Sequence, residues 1–362
     1  MNQKYYLTIA LFCALICASC SNKDEKEIEK EQSSGVVLVQ NKSYYEVKLS
    51  NGESLFFSDF SDDEIHDLAF SEDSVKVSSS FGTGFFVDDK GTIATNAHVV
   101  SSTANEKEIN RSIGKVIDML KRMTEIAYNQ KMEEYNQIDY LYNYANYSPD
   151  VSYSDFYALR DQRNAIEAEL NEMKSTYNGL NQIRPSDSEI IYHNEVSVAY
   201  NDTHITKSSD FDDCVLIGKD SSHDLALIQL KAKATPTGRY IFRVADNDPM
   251  EEYSLADKIT SKIKEDKNNK LFMHGFNLGP ALALTNEGLK AQFTNGTISQ
   301  TTADRLMYTI PALPGSSGSP VVNRKGELVA INYAGLNGTQ GFNYGVRVKH
   351  LRQLLANPTI AD

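Results

Sequence analysis

A chain of 362 residues is too long for one small domain and fits one large β domain with additions. A hydrophobic share of 41 %, with 20 Gly and only 9 Pro, excludes a disordered or fibrous protein. The formal charge of −13 leaves no basic stripe for phosphate, so nucleic acid is not an expected partner.

The chain opens with Lys4 and an apolar run, YYLTIALFCALIC, followed by Ala18-Ser19-Cys20. A basic start, a short apolar segment and small residues before a cleavage point describe a secretory signal over residues 1–19. The run falls short of the roughly 20 apolar residues of a transmembrane helix. Cys20 after Ala-Ser resembles the lipobox of bacterial lipoproteins, with Cys17 standing where that family usually has leucine. The resemblance implies a diacylated Cys20 and a membrane contact through that anchor, in the cell envelope. The alternative is an ordinary signal cleaved near Ser19. Residues 20–34 are polar and charged, and read as a tether between lipid and domain. Three of the four cysteines lie in the first 20 residues, which leaves Cys214 alone beyond them. A disulfide framework in the globular part is thereby excluded.

From Val36 the text alternates through VVLVQ and YYEVKLSNGESLFF around Asn51-Gly52, so residues 35–77 read as an N-terminal β-hairpin extension. Strand text resumes at Ser78 in GTGFFVDDKGTIATNAHVV, with DDKG as the turn. Residues 105–184 change character. Ile109, Ile113, Val116, Leu120, Met123 and Ala127 recur at spacings of three and four, as do Phe156, Leu159, Ile166, Leu170, Met173, Tyr177 and Leu180. Two long amphipathic helices joined near Pro149 and packed as an antiparallel hairpin are expected, with Arg163 interrupting the second seam. Strands return in EIIYHNEVSVAY, CVLIG and LALIQL, then in YIFRVA, KLFMHGFN, LKAQFTNGTISQ, RLMYTIPAL, SPVVN, ELVAINYAG and GFNYGVRV, and KHLRQLLAN closes with a short helix. Many short strands with regular turns predict barrels or a sandwich.

Residues 314–320 read Pro-Gly-Ser-Ser-Gly-Ser-Pro between two strands. Glycines on both sides of Ser317 allow a sharp turn that presents its hydroxyl, and the N–H groups of Gly315 and Ser317 can aim at one oxyanion. A serine needs a base, and His98 is the histidine that follows a strand hairpin, in TNAHVV. Asp224 opens DLALIQL and leads straight into an apolar strand, whereas its neighbours Asp220 and Asp213 do not. It is the candidate orienting carboxylate. No His/Cys/Glu cluster has ligand spacing, so neither metal nor other cofactor is expected.

TNAHVV, DLALIQL and PGSSGSP, in that order, resemble the trypsin-like serine peptidases of bacteria, the HtrA/Deg proteases and glutamyl endopeptidases among them. The resemblance covers about residues 78–104 and 186–356. It implies a mainly β, chymotrypsin-like double six-stranded barrel. The first barrel would comprise residues 78–104 and 185–232, interrupted by the helical insertion at 105–184, and residues 233–362 would hold the second barrel and the C-terminal helix. It also implies a catalytic triad of His98, Asp224 and Ser317. About 45 residues follow Ser317, so the PDZ module of HtrA relatives, with its peptide-sensing role, is not expected. The family's primary pocket maps to a floor of Pro311 and Ala312 and a wall of Asn332, Tyr333 and Ala334, which offer no charge for Lys or Arg. Asn332 stands where glutamyl endopeptidases carry histidine. The expected activity is serine endopeptidase cleavage of proteins or peptides through an acyl-enzyme. The alternative is an inactive protease-fold lipoprotein that binds a partner through its helical hairpin. Substrate identity and oligomeric state are not readable.

Overall fold

The computed structural model describes residues 23–250, 269–335 and 341–360, and the expected signal segment and Cys20 lie outside them. Two compact units divide the chain. One takes the residues up to Lys42, Ser79–Ser102 and Asn194–Asp362, and the other takes Ser43–Ser78 and Thr103–His193.

In the first unit the segment expected to be a tether is helical instead: α1 spans Glu25–Gln32. Glu and Lys are good helix formers, and composition alone hides what a single apolar residue can do among them. Ile28 is fully buried in the core, and Gln32 donates to the Gly326 carbonyl at 2.8 Å.

The strands that follow are β1 (Val36–Lys48), β2 (Ser54–Phe57), β3 (Asp59–Ser61), β4 (Glu64–His66), β5 (Ser78–Phe86) and β6 (Thr92–Thr95). After the short helix α2 (Ala97–Val100) come the long helices α3 (Glu106–Tyr147) and α4 (Tyr153–Gln182). Strands β7 (Glu189–Tyr200), β8 (Asp212–Asp220) and β9 (Leu225–Leu230) then complete the first half. A barrel runs β1-β5-β6-β9-β8-β7 and closes where β7 returns to β1. The hairpin strand β1, expected outside the barrel, is therefore one of its six staves. Its opening run explains why. Val36 and Leu38 face one core cluster while Val37 and Val39 face another, so this part of the strand is buried on both sides.

The second barrel is built from β10 (Lys270–Gly275), then, after α5 (Pro280–Ala283) and the β11 (Leu284–Thr285) and β12 (Gly288–Leu289) ribbon, β13 (Gln292–Thr301), β14 (Arg305–Tyr308), β15 (Pro320–Val322), β16 (Leu328–Gly335) and β17 (Asn343–Arg347). It closes in the order β10-β13-β14-β17-β16-β15. The run YIFRVA, expected as a strand, joins no sheet. Phe242 makes a single backbone bond to Phe86 at 2.8 Å, and its ring is buried. The segment crosses Gly35 so closely that a Cβ there would lie 2.3 Å from the Tyr240 carbonyl oxygen. The two barrels share one core, to which the first gives Val36, Leu38 and Phe85 and the second gives Phe272, Val322 and Ile331. The closing helix α6 (Val348–Ala356) adds Leu351 and Leu354 to that core and packs back on β8 and β9. This is the double six-stranded barrel the resemblance implied.

The second unit has its own core. The later part of β1 pairs antiparallel with β2 from Tyr45↔Phe57 to Lys48↔Ser54, through a turn in which Gly52 takes φ 87°. On this ribbon Tyr45, Val47 and Phe57 pack with Ile109, Ile113, Ile117 and Ile183. Beyond those turns α3 and α4 bury one another: Ala145, Ile166 and Leu170 are buried. The expected seam drifts along α3, where Ile117 is buried and Met123 is 59 % exposed, because a helix of 3.6 residues per turn rotates away from a strict heptad. Arg163 does enter the hairpin, paired with Asp139 at 2.6 Å and lying over the rings of Tyr135 and Tyr142. Among the described residues no helix is long and apolar enough to cross a membrane.

Candidate active site

His98 sits on α2, a single turn anchored by buried Ala97, Val99 and Val100, which leaves the imidazole partly exposed. Val99 lies against Gly82, where any Cβ would meet it at 2.5 Å. Asp224 comes from the residue before β9. Its Oδ2 lies 2.6 Å from His98 Nδ1, and its Oδ1 accepts the His98 backbone N–H at 2.9 Å. The Asp224 carbonyl accepts from Asn96 Nδ2 at 2.7 Å and from the Ala97 N–H at 3.2 Å. A carboxylate on Nδ1 holds the tautomer that leaves Nε2 free to take a proton. The rival acids are engaged elsewhere: Asp220 binds His223 Nδ1 at 2.7 Å and Asp213 binds Lys231 at 2.9 Å.

Ser317 lies in the turn between Ile310 and β15, where Gly315 and Gly318 take φ of 95° and 87°. A side chain at Gly318 would lie 2.0 Å from the Thr83 carbonyl oxygen, so only glycine fits that position. Among the described residues, the N–H groups of Gly315 and Ser317 have no hydrogen-bond acceptor. They are the pair expected to receive an oxyanion.

Thr83, on β5, fastens this turn to the first barrel. Its N–H donates to the Ser317 carbonyl at 2.8 Å and its hydroxyl to the Gly315 carbonyl at 2.8 Å. The same hydroxyl accepts the Phe276 N–H at 3.0 Å, while the Thr83 carbonyl accepts from the Thr95 hydroxyl at 2.7 Å. Thr95 is close in sequence to His98, so one buried threonine links the serine turn to the histidine turn. The sequence reading missed it, although the string GTGFF around it belongs to the resemblance.

The expected pocket residues divide. Asn332 is buried, and its side chain is committed to the serine turn: Nδ2 donates to the Ser316 carbonyl at 3.0 Å and Oδ1 accepts from the Tyr308 hydroxyl at 2.8 Å. It supports the turn and does not present its amide to a substrate. Pro311 is exposed, and Ala312 packs partly buried on the second-barrel core. Tyr333 lies under the Arg305 guanidinium at 5.2 Å, and Ala334 pairs with Tyr344 across β16 and β17. Tyr333, with Asp224, His223, Asp304 and Arg305, lines a cavity of about 430 Å³.

That cavity also reveals a group whose members are far apart in sequence. His223, Asp304 and His350 each place a ligating atom within 4.8 Å of the others. Burial, and then the neighbouring His223, hold His350 below the ordinary histidine pKa.

Residues 183–331 match the family of trypsin-like peptidase domains, a stretch that contains Asp224 and Ser317 and begins after His98. No curated protein matches the chain. Its fold is similar to the crystal structure of a serine endoprotease from Yersinia pestis at 14 % identity and a TM-score of 0.43, over 93 % of this chain and 66 % of that one. The chain thus spans just under two thirds of that protein's length. Over residues 183–331, less than half of its length, the chain is thus similar to a trypsin-like peptidase domain.

Proposed function

We propose that the protein is a serine endopeptidase that cleaves proteins or peptides through an acyl-enzyme on Ser317. One arrangement carries the reading: both carboxylate oxygens of Asp224 grip His98, on Nδ1 and on the backbone, and Thr83 ties the glycine-flanked serine turn to Thr95, close to His98 in sequence. In this mechanism His98 Nε2 takes the Ser317 proton as the hydroxyl oxygen attacks the scissile carbonyl. Asp224 steadies the imidazolium, and the N–H groups of Gly315 and Ser317 receive the oxyanion. His98 then gives its proton to the leaving amine, and water repeats the sequence to release the acid.

Pro311 and Ala312 favour a small or medium apolar side chain before the scissile bond, since burying an unpaired charge against them is costly. Secretion and acylation of Cys20 complete the reading, and would hold the enzyme in the cell envelope. Recovery of Cys20→Ser in the membrane fraction at unchanged mass would remove that part.

A fluorophosphonate probe tests the chemistry. Labelling of the wild type that disappears in Ser317→Ala and in His98→Ala is expected. Labelling of neither the wild type nor the variants would leave a non-catalytic protease fold.

A further inference from the structure

The geometry points to a binding site for a divalent transition-metal ion of the zinc type, formed by His223, Asp304 and His350. The three residues come from three separate elements. His223 immediately precedes Asp224, Asp304 sits in the turn between β13 and β14, and His350 is on α6. The return of α6 onto β8 and β9 is what delivers His350 to the other two.

Two imidazoles and a carboxylate are the donor set that zinc, nickel and copper favour over calcium or magnesium. The imidazole rings of His223 and His350 are stacked with centroids 3.7 Å apart, and His350 Nε2 is 3.0 Å from Asp304 Oδ1. A bound ion lies in the plane of each ligating ring, so the partly exposed His223 has to swing out of the stack to share an ion with His350. Two nitrogens bound tetrahedrally at about 2.0–2.1 Å stand roughly 3.4 Å apart. The donor atoms already lie within 4.8 Å of one another, and the side chains of His223 and Asp304 are exposed enough to turn inward.

Two further features suit an ion. Asp220 accepts from His223 Nδ1 at 2.7 Å, which leaves the Nε2 lone pair unprotonated and aimed by a carboxylate behind it. His350 is 5 % exposed, and its Nδ1 has no hydrogen-bond partner among the described residues. With the ring proton on Nδ1, the Nε2 lone pair beside Asp304 is free to ligate the ion. His223 and Asp304 line the 430 Å³ cavity, so an ion and a fourth ligand from solvent have a way in. The Lys349 ammonium, 3.5 Å from the same Asp304 oxygen, is the competing cation that an ion would displace.

The inference does not depend on the peptidase reading, and its test is read as metal uptake. The purified full chain is dialysed to equilibrium against zinc chloride, and cobalt(II) is substituted to record its visible spectrum. One zinc per chain and the intense absorption of four-coordinate cobalt are expected. His223→Gln and Asp304→Asn, both outside the core, should each weaken uptake at least tenfold, and Asp220→Asn by about 10–100-fold. His98→Ala should bind as the wild type does. No uptake by the wild type, or uptake that survives both His223→Gln and Asp304→Asn, overturns the site. Uptake lost in His98→Ala assigns the ion to the His98–Asp224 pair and overturns it equally.

Discussion

The backbone of Asp224 takes φ 53°, a left-handed conformation that costs a non-glycine residue about 1–3 kcal/mol unless its surroundings enforce it. Here four hydrogen bonds from Asn96, Ala97 and His98 enforce it. Asp224→Asn keeps the size and tolerates the turn, but an amide favours the wrong imidazole tautomer. Turnover of a peptide substrate should fall by about 10⁴. Asp220→Asn should leave turnover within a few-fold, since that carboxylate faces His223. The reverse pattern in steady-state kinetics would make Asp220 the orienting acid. His98, Asp224 and Ser317 stand out as candidates in the sequence because each sits in a short motif at a strand end, and the motifs keep their order. Thr83 does not, and neither does the supporting role of Asn332, which the resemblance maps to the pocket wall. A threonine inside a strand and an asparagine inside an apolar run carry no local mark, and their work is defined by partners on other strands.

Among the elements, α1 departs most from its sequence reading. Eight residues with one apolar side chain look unable to order themselves, and in isolation they would not. The helix is held by what it docks on, with Ile28 in the shared core and Gln32 on Gly326. Ile28→Ala should therefore cost about 2–4 kcal/mol, read as a lower urea midpoint at unchanged slope. A freely moving tether would show no change. β1 teaches a related lesson. The hairpin turn at Asn51-Gly52 is a local signal and is legible, but membership of a barrel depends on pairing with β5 and β7, which no local pattern records. The helical hairpin is legible for the opposite reason, since its periodicity and its contacts are both local. Only the rotation of its seam is invisible in that periodicity.

For the molecule as a whole, buried histidine sets an acid limit. His274 on β10 is 1 % exposed, and burial pushes its pKa down to about 4. The unfolded chain takes up that proton near pH 6.5 and the folded chain only near 4, so between those values the unfolded state binds more protons and stability falls as pH falls. Between pH 7 and pH 5 the loss from this one group is about 2 kcal/mol. His274→Leu should flatten the pH dependence of the denaturation midpoint by about that amount, and an unaltered slope would place the acid sensitivity elsewhere. The interruption of the first barrel between β6 and β7 also bears on biogenesis. A nascent chain emits β1, β5 and β6 first, yet their partners β9, β8 and β7 emerge only after the whole of α3 and α4. The helices can form as they appear because their contacts are close in sequence. Meanwhile the early strands wait with open edges, the state in which sheets pair with the wrong neighbour. α1 waits longer still, for Gly326 beside β16. Chaperone protection thus falls due early in synthesis, and the proposed active site is assembled only after Ser317 and β16 have emerged.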